Sequence, residues 1–171
     1  MTAPEPEVLY AVDAQIATIT LNAPARMNTI SREMLDELTH RLLQANEDSE
    51  VRCVVLTGTG RAFCAGLDLG AFLASSPAEV HAIVNKLYAQ LCDVQFALDK
   101  PSIAAISGAA RGGGMSIAIS CDLIVAEETS TFGYPEMDVG LLPAIHFTHL
   151  PRIVGRYRAF DLLFTGRERL V

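Results

Sequence analysis

The chain has 171 residues, 50% hydrophobic and 19% charged, which suits one buried core rather than several domains. Against 13 Lys and Arg stand 20 Asp and Glu, a formal charge of −7. That balance excludes nucleic acid or an anionic membrane surface as the main partner, because both draw on clustered basic side chains.

In chain order, EVLYAV and QIATITL are rich in β-branched residues and predict a hairpin around Asp13, although residues 13 to 15 carry no strong turn signal. LNAPARMN reads as a loop. Ser31 is placed to cap a helix with Glu33 in its first turn and Met34, Leu35, Leu38, Leu42 and Leu43 on one face. CVVLTG reads as a buried strand, GTGRAFCAG as a loop, and Glu79 to Leu98 as a second amphipathic helix. SIAAISG predicts another strand, then come the glycines of GAARGGGMS, and CDLIVA is expected to be a fourth buried strand. TFGYPEMDVGLL reads as a loop, and GRYRAFDLLFTG as a third helix closed by Gly166. Strands alternating with helices predict an α/β fold with largely parallel pairing in one domain, residues 1–171.

Cys53, Cys64, Cys92 and Cys121 stand singly in apolar segments, without CxxC pairs or metal-like spacing. They read as reduced thiols, and with no leader-like N-terminus and no membrane-length apolar run the expectation is a cytoplasmic protein that binds no metal.

Ligands of such folds gather at loops leaving strands, and three loops have unusual composition: 58–68, 108–116 and 131–143. The first fails as a dinucleotide fingerprint, because Phe63 stands where the third glycine of GxGxxG belongs. The second lacks the Lys-Ser/Thr ending of a P-loop. It fits a serine-hydrolase elbow only if Ala118 replaces the last glycine. A backbone oxyanion hole suits two loops together: glycines at a helix start expose N–H groups, and a second N–H from FCAG would complete the pair. Glu136 of the third loop is the candidate acid or base near a thioester Cα, and His146 and His149 lack a third metal ligand of suitable spacing.

LNAPARMNTI, VVLTGTGRAFCAGLDL, PSIAAISGAARGGGMSIAISCDLIVA and TFGYPEMDVGLLP, in this order, resemble the crotonase superfamily of enoyl-CoA hydratases and isomerases. The resemblance runs from about Val8 to the last residue. It implies a crotonase-like spiral of ββα units, an acyl-CoA thioester substrate with no separate cofactor, and homotrimers or homohexamers. It also implies that the chain lacks the C-terminal helical part of the family.

By the same resemblance, Ala65 and Gly113 correspond to the oxyanion donors. Leu67, Asp68 and Leu69 fall in the stretch wrapped around the CoA adenine, Gly66 beside them is a further CoA-binding residue, and Arg26 lies in a loop that approaches the CoA phosphates. Glu136 corresponds to the second acidic residue of the hydratases, the one isomerases retain. Ser116 stands where two-glutamate hydratases carry their first glutamate. Serine is a poor base unless activated, so the expectation is double-bond isomerisation by Glu136. Hydration or hydratase-lyase chemistry with Ser116 positioning water is the alternative. A serine hydrolase using Ser116 with His146 or His149, or a catalytically silent oligomeric scaffold, are the alternatives of another class. After Pro143 the family's Gly-rich run is replaced by AIHFTH, which implies an altered acyl pocket.

Overall fold

Ala14 and Gln15, at φ 47° and 67°, close the first hairpin. Two consecutive left-handed residues twist as antiparallel strands require, but this turn is normally built from Asn-Gly or Asp-Gly, so Ala-Gln hides it in the sequence. The hairpin strands, β1 (Val8–Asp13) and β2 (Ile16–Leu21), pair with Val8 opposite Leu21 and Asp13 opposite Ile16. The computed structural model describes residues 5–68, 70, 74–143 and 145–170, and Leu69 of the expected CoA stretch lies outside them.

Ser31 caps α1 (Arg32–Glu47), its hydroxyl accepting from the Met34 N–H at 3.0 Å. Met34, Leu35, Leu38, Leu42 and Ala45 make the buried stripe. Leu43, expected on that stripe, is 44% exposed, because steps of three and four residues carry the face on to Ala45 instead.

From β3 (Cys53–Gly58) the chain follows a repeating path. β3 pairs parallel to β2 in a first sheet, β4 (Ala62–Cys64) enters a second, and helical segments return the chain: α2 (Pro77–Lys86), a π-helical turn (Leu87–Leu91) and α3 (Cys92–Phe96). The next turn adds β5 (Ser102–Ile106) to the first sheet, β6 (Ala109–Arg111) to the second, and then α4 (Gly113–Ile119). The third adds β7 (Leu123–Ala126) and β8 (Thr131–Gly133), followed by α5 (His146–Val154) and α6 (Arg156–Thr165). The first sheet has the order β1-β2-β3-β5-β7; the second is β4-β6-β8-β9, with β9 (Arg169–Leu170) antiparallel to β8. This is the spiral of ββα units, with one strand of every turn in each sheet. Its core is built from Ile19, Leu38, Leu56, Phe63, Leu91, Ala104 and Ile117, all fully buried.

Several local expectations are corrected. The loops around FCAG, GAAR and TFG contain strands of three residues, too short to show periodicity. The second helix begins at Pro77, where Ser76 and Glu79 form a reciprocal capping box. The CDLIVA strand is not buried: Leu123, Ile124 and Val125 are 60%, 43% and 62% exposed. β7 is the outer strand of the first sheet, and an apolar run reads the same at an edge as at the centre. Helix α5 begins at His146, inside the stretch that replaces the family's Gly-rich run.

Candidate functional site

The glycine run is dictated by close approach. A Cβ on Gly114 would stand 2.2 Å from the Cys64 carbonyl oxygen, so α4 lies directly on β4. Gly112 has φ 49° and ψ −116°, and a Cβ there would stand 2.6 Å from Glu136 Oε1. The missing side chain thus makes room for the candidate acid–base carboxylate. Gly113 opens α4, so its N–H has no acceptor within the helix.

Ala65 and Gly113 were the expected donor pair, and the first assignment is corrected. The Ala65 N–H donates to the Met27 carbonyl at 3.0 Å, which ties the FCAG segment to the loop ahead of α1. Gly66, at φ 86°, then turns the chain. The next amide nitrogen, Leu67 N, comes to 3.7 Å from the position a Gly113 Cβ would take, and Gly113 N lies 3.2 Å from the corresponding position at Gly66. Leu67 and Gly113 are therefore the abutting amides. Sequence reading missed this because alternating residues of FCAGL look alike until their hydrogen bonds are known.

Glu136 sits on the 3-10 turn Pro135–Val139 and faces a cavity of about 60 Å³ lined by Ala65, Gly66, Leu67, Gly112 and Leu141. Its Oε2 is buried without a hydrogen-bond partner among the described residues, and burial pushes the carboxyl above its ordinary pKa. Leu67 also borders a larger cavity of about 270 Å³ that contains Arg26, Arg32, Ser31 and Asp68. Arg26 is ion-paired with Glu7 at 2.6 Å and hydrogen-bonds the Thr29 carbonyl. Arg32 was missed because the helical pattern absorbed it as a surface position of α1.

Ser116, buried on α4, does not stand alone. Its Oγ is 3.0 Å from His146 Nε2, 3.4 Å from the Tyr88 hydroxyl and 3.5 Å from the Gly112 carbonyl oxygen. His146 Nδ1 is 3.1 Å from the Tyr134 hydroxyl. Burial pushes His146 down to about 4 and both tyrosines up. The group faces a cavity of about 310 Å³ whose walls include Ile119, Ile145 and Phe96. His149 lines the same cavity, where its ring stacks on Phe96 with centroids 6.3 Å apart. Buried Cys64 has its thiol pushed up to about 12, which removes it as a nucleophile. Among the described residues no cluster of His, Cys, Asp and Glu could hold a metal ion, and no helix is long and apolar enough to cross a membrane.

Residues 11–169 match the family model described as enoyl-CoA hydratase/isomerase. YngF of Bacillus subtilis is 41% identical over 166 residues, covering 94% of this chain and 63% of that protein. The 1,2-epoxyphenylacetyl-CoA isomerase of Escherichia coli is 36% identical over 165 residues, again 94% and 63%. The crystal structure of an enoyl-CoA hydratase from Mycobacterium smegmatis superposes with a TM-score of 0.92 at 34% identity, covering 98% of this chain and 65% of that one. The chain thus spans less than two thirds of the length of these curated relatives.

Proposed function

The chain belongs to the enoyl-CoA hydratase/isomerase family, and from that premise we propose that it acts on an acyl-CoA thioester through an enolate, with double-bond isomerisation as its leading reaction. The observation that carries this reading is the unpartnered Glu136 Oε2 beside the cavity that Leu67 and Gly112 share with it. The Leu67 and Gly113 N–H groups hold the thioester oxygen, where charge develops when a proton leaves Cα. Glu136 takes that proton from a 3-enoyl thioester and returns it to Cγ, giving the 2-enoyl product. A carboxyl raised by burial is, once ionised, a stronger base than an exposed one. The CoA moiety lies along the cavity of Arg26, Arg32 and Asp68, where Arg32, and Arg26 once it exchanges its Glu7 partner, can meet its phosphates. The assembly proposed with this reading is a homotrimer or homohexamer, and the location cytoplasmic.

A panel of 2-enoyl, 3-enoyl and aryl-enoyl thioesters followed by mass spectrometry tests the reading. Double-bond migration without mass change, abolished in Glu136→Gln, is the expected result. Turnover that survives Glu136→Gln sinks it.

A further inference from the structure

Ser116, His146 and Tyr134 form a chain of hydrogen bonds across three separate segments: helix α4, helix α5 and the residue after β8. A buried histidine satisfied at both nitrogens is ordinary core architecture. Two features set this one apart. Ser116, Tyr88 and His146 line a cavity large enough for an acyl group and water, so the chain ends at open space. Gly112 also joins the chain to Glu136: the Glu136 carboxylate packs where its Cβ would be, and the Ser116 hydroxyl lies 3.5 Å from its carbonyl oxygen. The Glu136 charge is felt at both Tyr88 and Tyr134.

We propose that His146, acting through Ser116, is the proton-accepting partner of a water-activating pair, the device by which this chain would carry its family's water addition to 2-enoyl thioesters without a second glutamate. This rests on the enolate reading above and supplies the second proton-transfer group that Ser116 alone lacks. In the neutral ring one nitrogen donates and the other accepts. Nδ1–H donates to the Tyr134 oxygen, which fixes the ring and leaves Nε2 to accept from Ser116. A water held by Ser116 attacks Cβ of the substrate. The new C–O bond forms as the Cα=Cβ π pair shifts to join Cα to the carbonyl carbon and the carbonyl π pair moves onto the thioester oxygen, held by the Leu67 and Gly113 amides. The water proton passes to Ser116 Oγ while the serine proton passes to His146 Nε2. Protonated Glu136 then gives its proton to Cα. Imidazolium and carboxylate remain, and they return to their neutral forms by exchanging one proton through solvent. Burial keeps the His146 imidazole neutral and raises the Glu136 carboxyl above its ordinary value, so the protonated fraction of Glu136 serves water addition and the ionised fraction serves isomerisation. Ser116 is the residue that touches the water, and His146 is a positioning and proton-holding residue behind it.

The test compares hydration of a 2-enoyl-CoA in 18O-labelled water with isomerisation of the 3-enoyl-CoA of the same length. The proteins are the full chain and its Ser116→Ala, His146→Phe, His146→Gln and Glu136→Gln variants. Wild type is expected to incorporate 18O. Ser116→Ala and both His146 variants should lower hydration about a hundredfold, the scale of general acid–base catalysis. They should also lower the ratio of hydration to isomerisation by about tenfold or more. A variant that merely loosens the fold depresses both reactions together and leaves the ratio in place, which overturns the proposal. Full hydration in His146→Gln overturns it too, since glutamine keeps a hydrogen bond but accepts no proton. So does an acyl group trapped covalently on Ser116, or a wild-type protein that adds no water. Isomerisation surviving in Glu136→Gln breaks the preceding reading while the Ser116 and His146 ratios still report on this one. A chain inert toward both thioesters brings down both.

Discussion

Replacing Gly112 by Ala tests whether the glycine exists to seat the carboxylate. The added Cβ would lie 2.6 Å from Glu136 Oε1 and 3.3 Å from its carboxyl carbon, so the side chain of Glu136 must leave its place. The backbone contributes separately, because φ 49° with ψ −116° is costly for an L residue, about 1–3 kcal/mol. Urea unfolding of Gly112→Ala should show a loss of that order, and turnover of an enoyl thioester should fall about a hundredfold or more as the acid–base group is displaced. The two effects separate in the Glu136→Ala background, where the contact is gone and only backbone strain remains. The same Gly112→Ala change should then cost less than it does in wild type, a coupling between neighbours of about 0.5–3 kcal/mol. Strict additivity of the two substitutions, together with unimpaired turnover in Gly112→Ala, refutes the reasoning.

Folded-state titration gives a second expectation. His146 is held neutral, down from 6.5 to about 4, so the unfolded chain binds more protons between those values and stability rises with pH across that window. The group contributes up to about 3 kcal/mol above the window, lost as pH falls towards 4; His146→Gln should flatten this rise in urea midpoints measured from pH 4 to 7, and an unchanged slope counts against a neutral buried ring. Glu136 carries the opposite sign, since a raised carboxyl lowers stability as pH climbs through its folded value, and Glu136→Gln should remove that decline in the same titration. Ser31→Ala removes the acceptor for the Met34 N–H and should cost about 1 kcal/mol, read from thermal or urea unfolding. Cys64 and Cys121, both with thiols pushed up to about 12, should resist iodoacetamide in the native state at pH 8 and react once urea unfolds the chain; rapid native labelling at Cys64 contradicts its burial.

Helix α1 and strands β2, β3 and β5 were legible because each announces itself locally, by a capping serine, a 3.6-residue stripe or a β-branched run. The strands β4, β6 and β8 were not, since three residues carry no period and their pairing depends on the spiral bringing distant segments side by side. The same division holds at the site. Motif register is what assigns Glu136 and Gly113 their expected roles, whereas the choice between the amides of Ala65 and Leu67 turns on one hydrogen bond to Met27. The poor basicity expected of Ser116 holds for a serine without an activating partner, and the structure sets His146 Nε2 3.0 Å from its hydroxyl. The substituted AIHFTH segment signalled a changed pocket, but only the packing of α5 against Tyr134 shows that it delivers an imidazole to the serine.

The outer strand β7 has a consequence for the chain in solution. Beyond β7 the order of the first sheet ends, so among the described residues one row of its backbone groups faces no further strand, and Leu123, Ile124 and Val125 offer aliphatic side chains on both faces. Such an edge is a template for another strand. The opposing force is the net charge of −7, which keeps copies apart only over the reach of the ionic atmosphere. That reach shrinks from about 30 Å at 0.01 M salt to about 10 Å at 0.1 M. Salt therefore removes the repulsion that keeps a second strand from this edge, and dilute buffer preserves it.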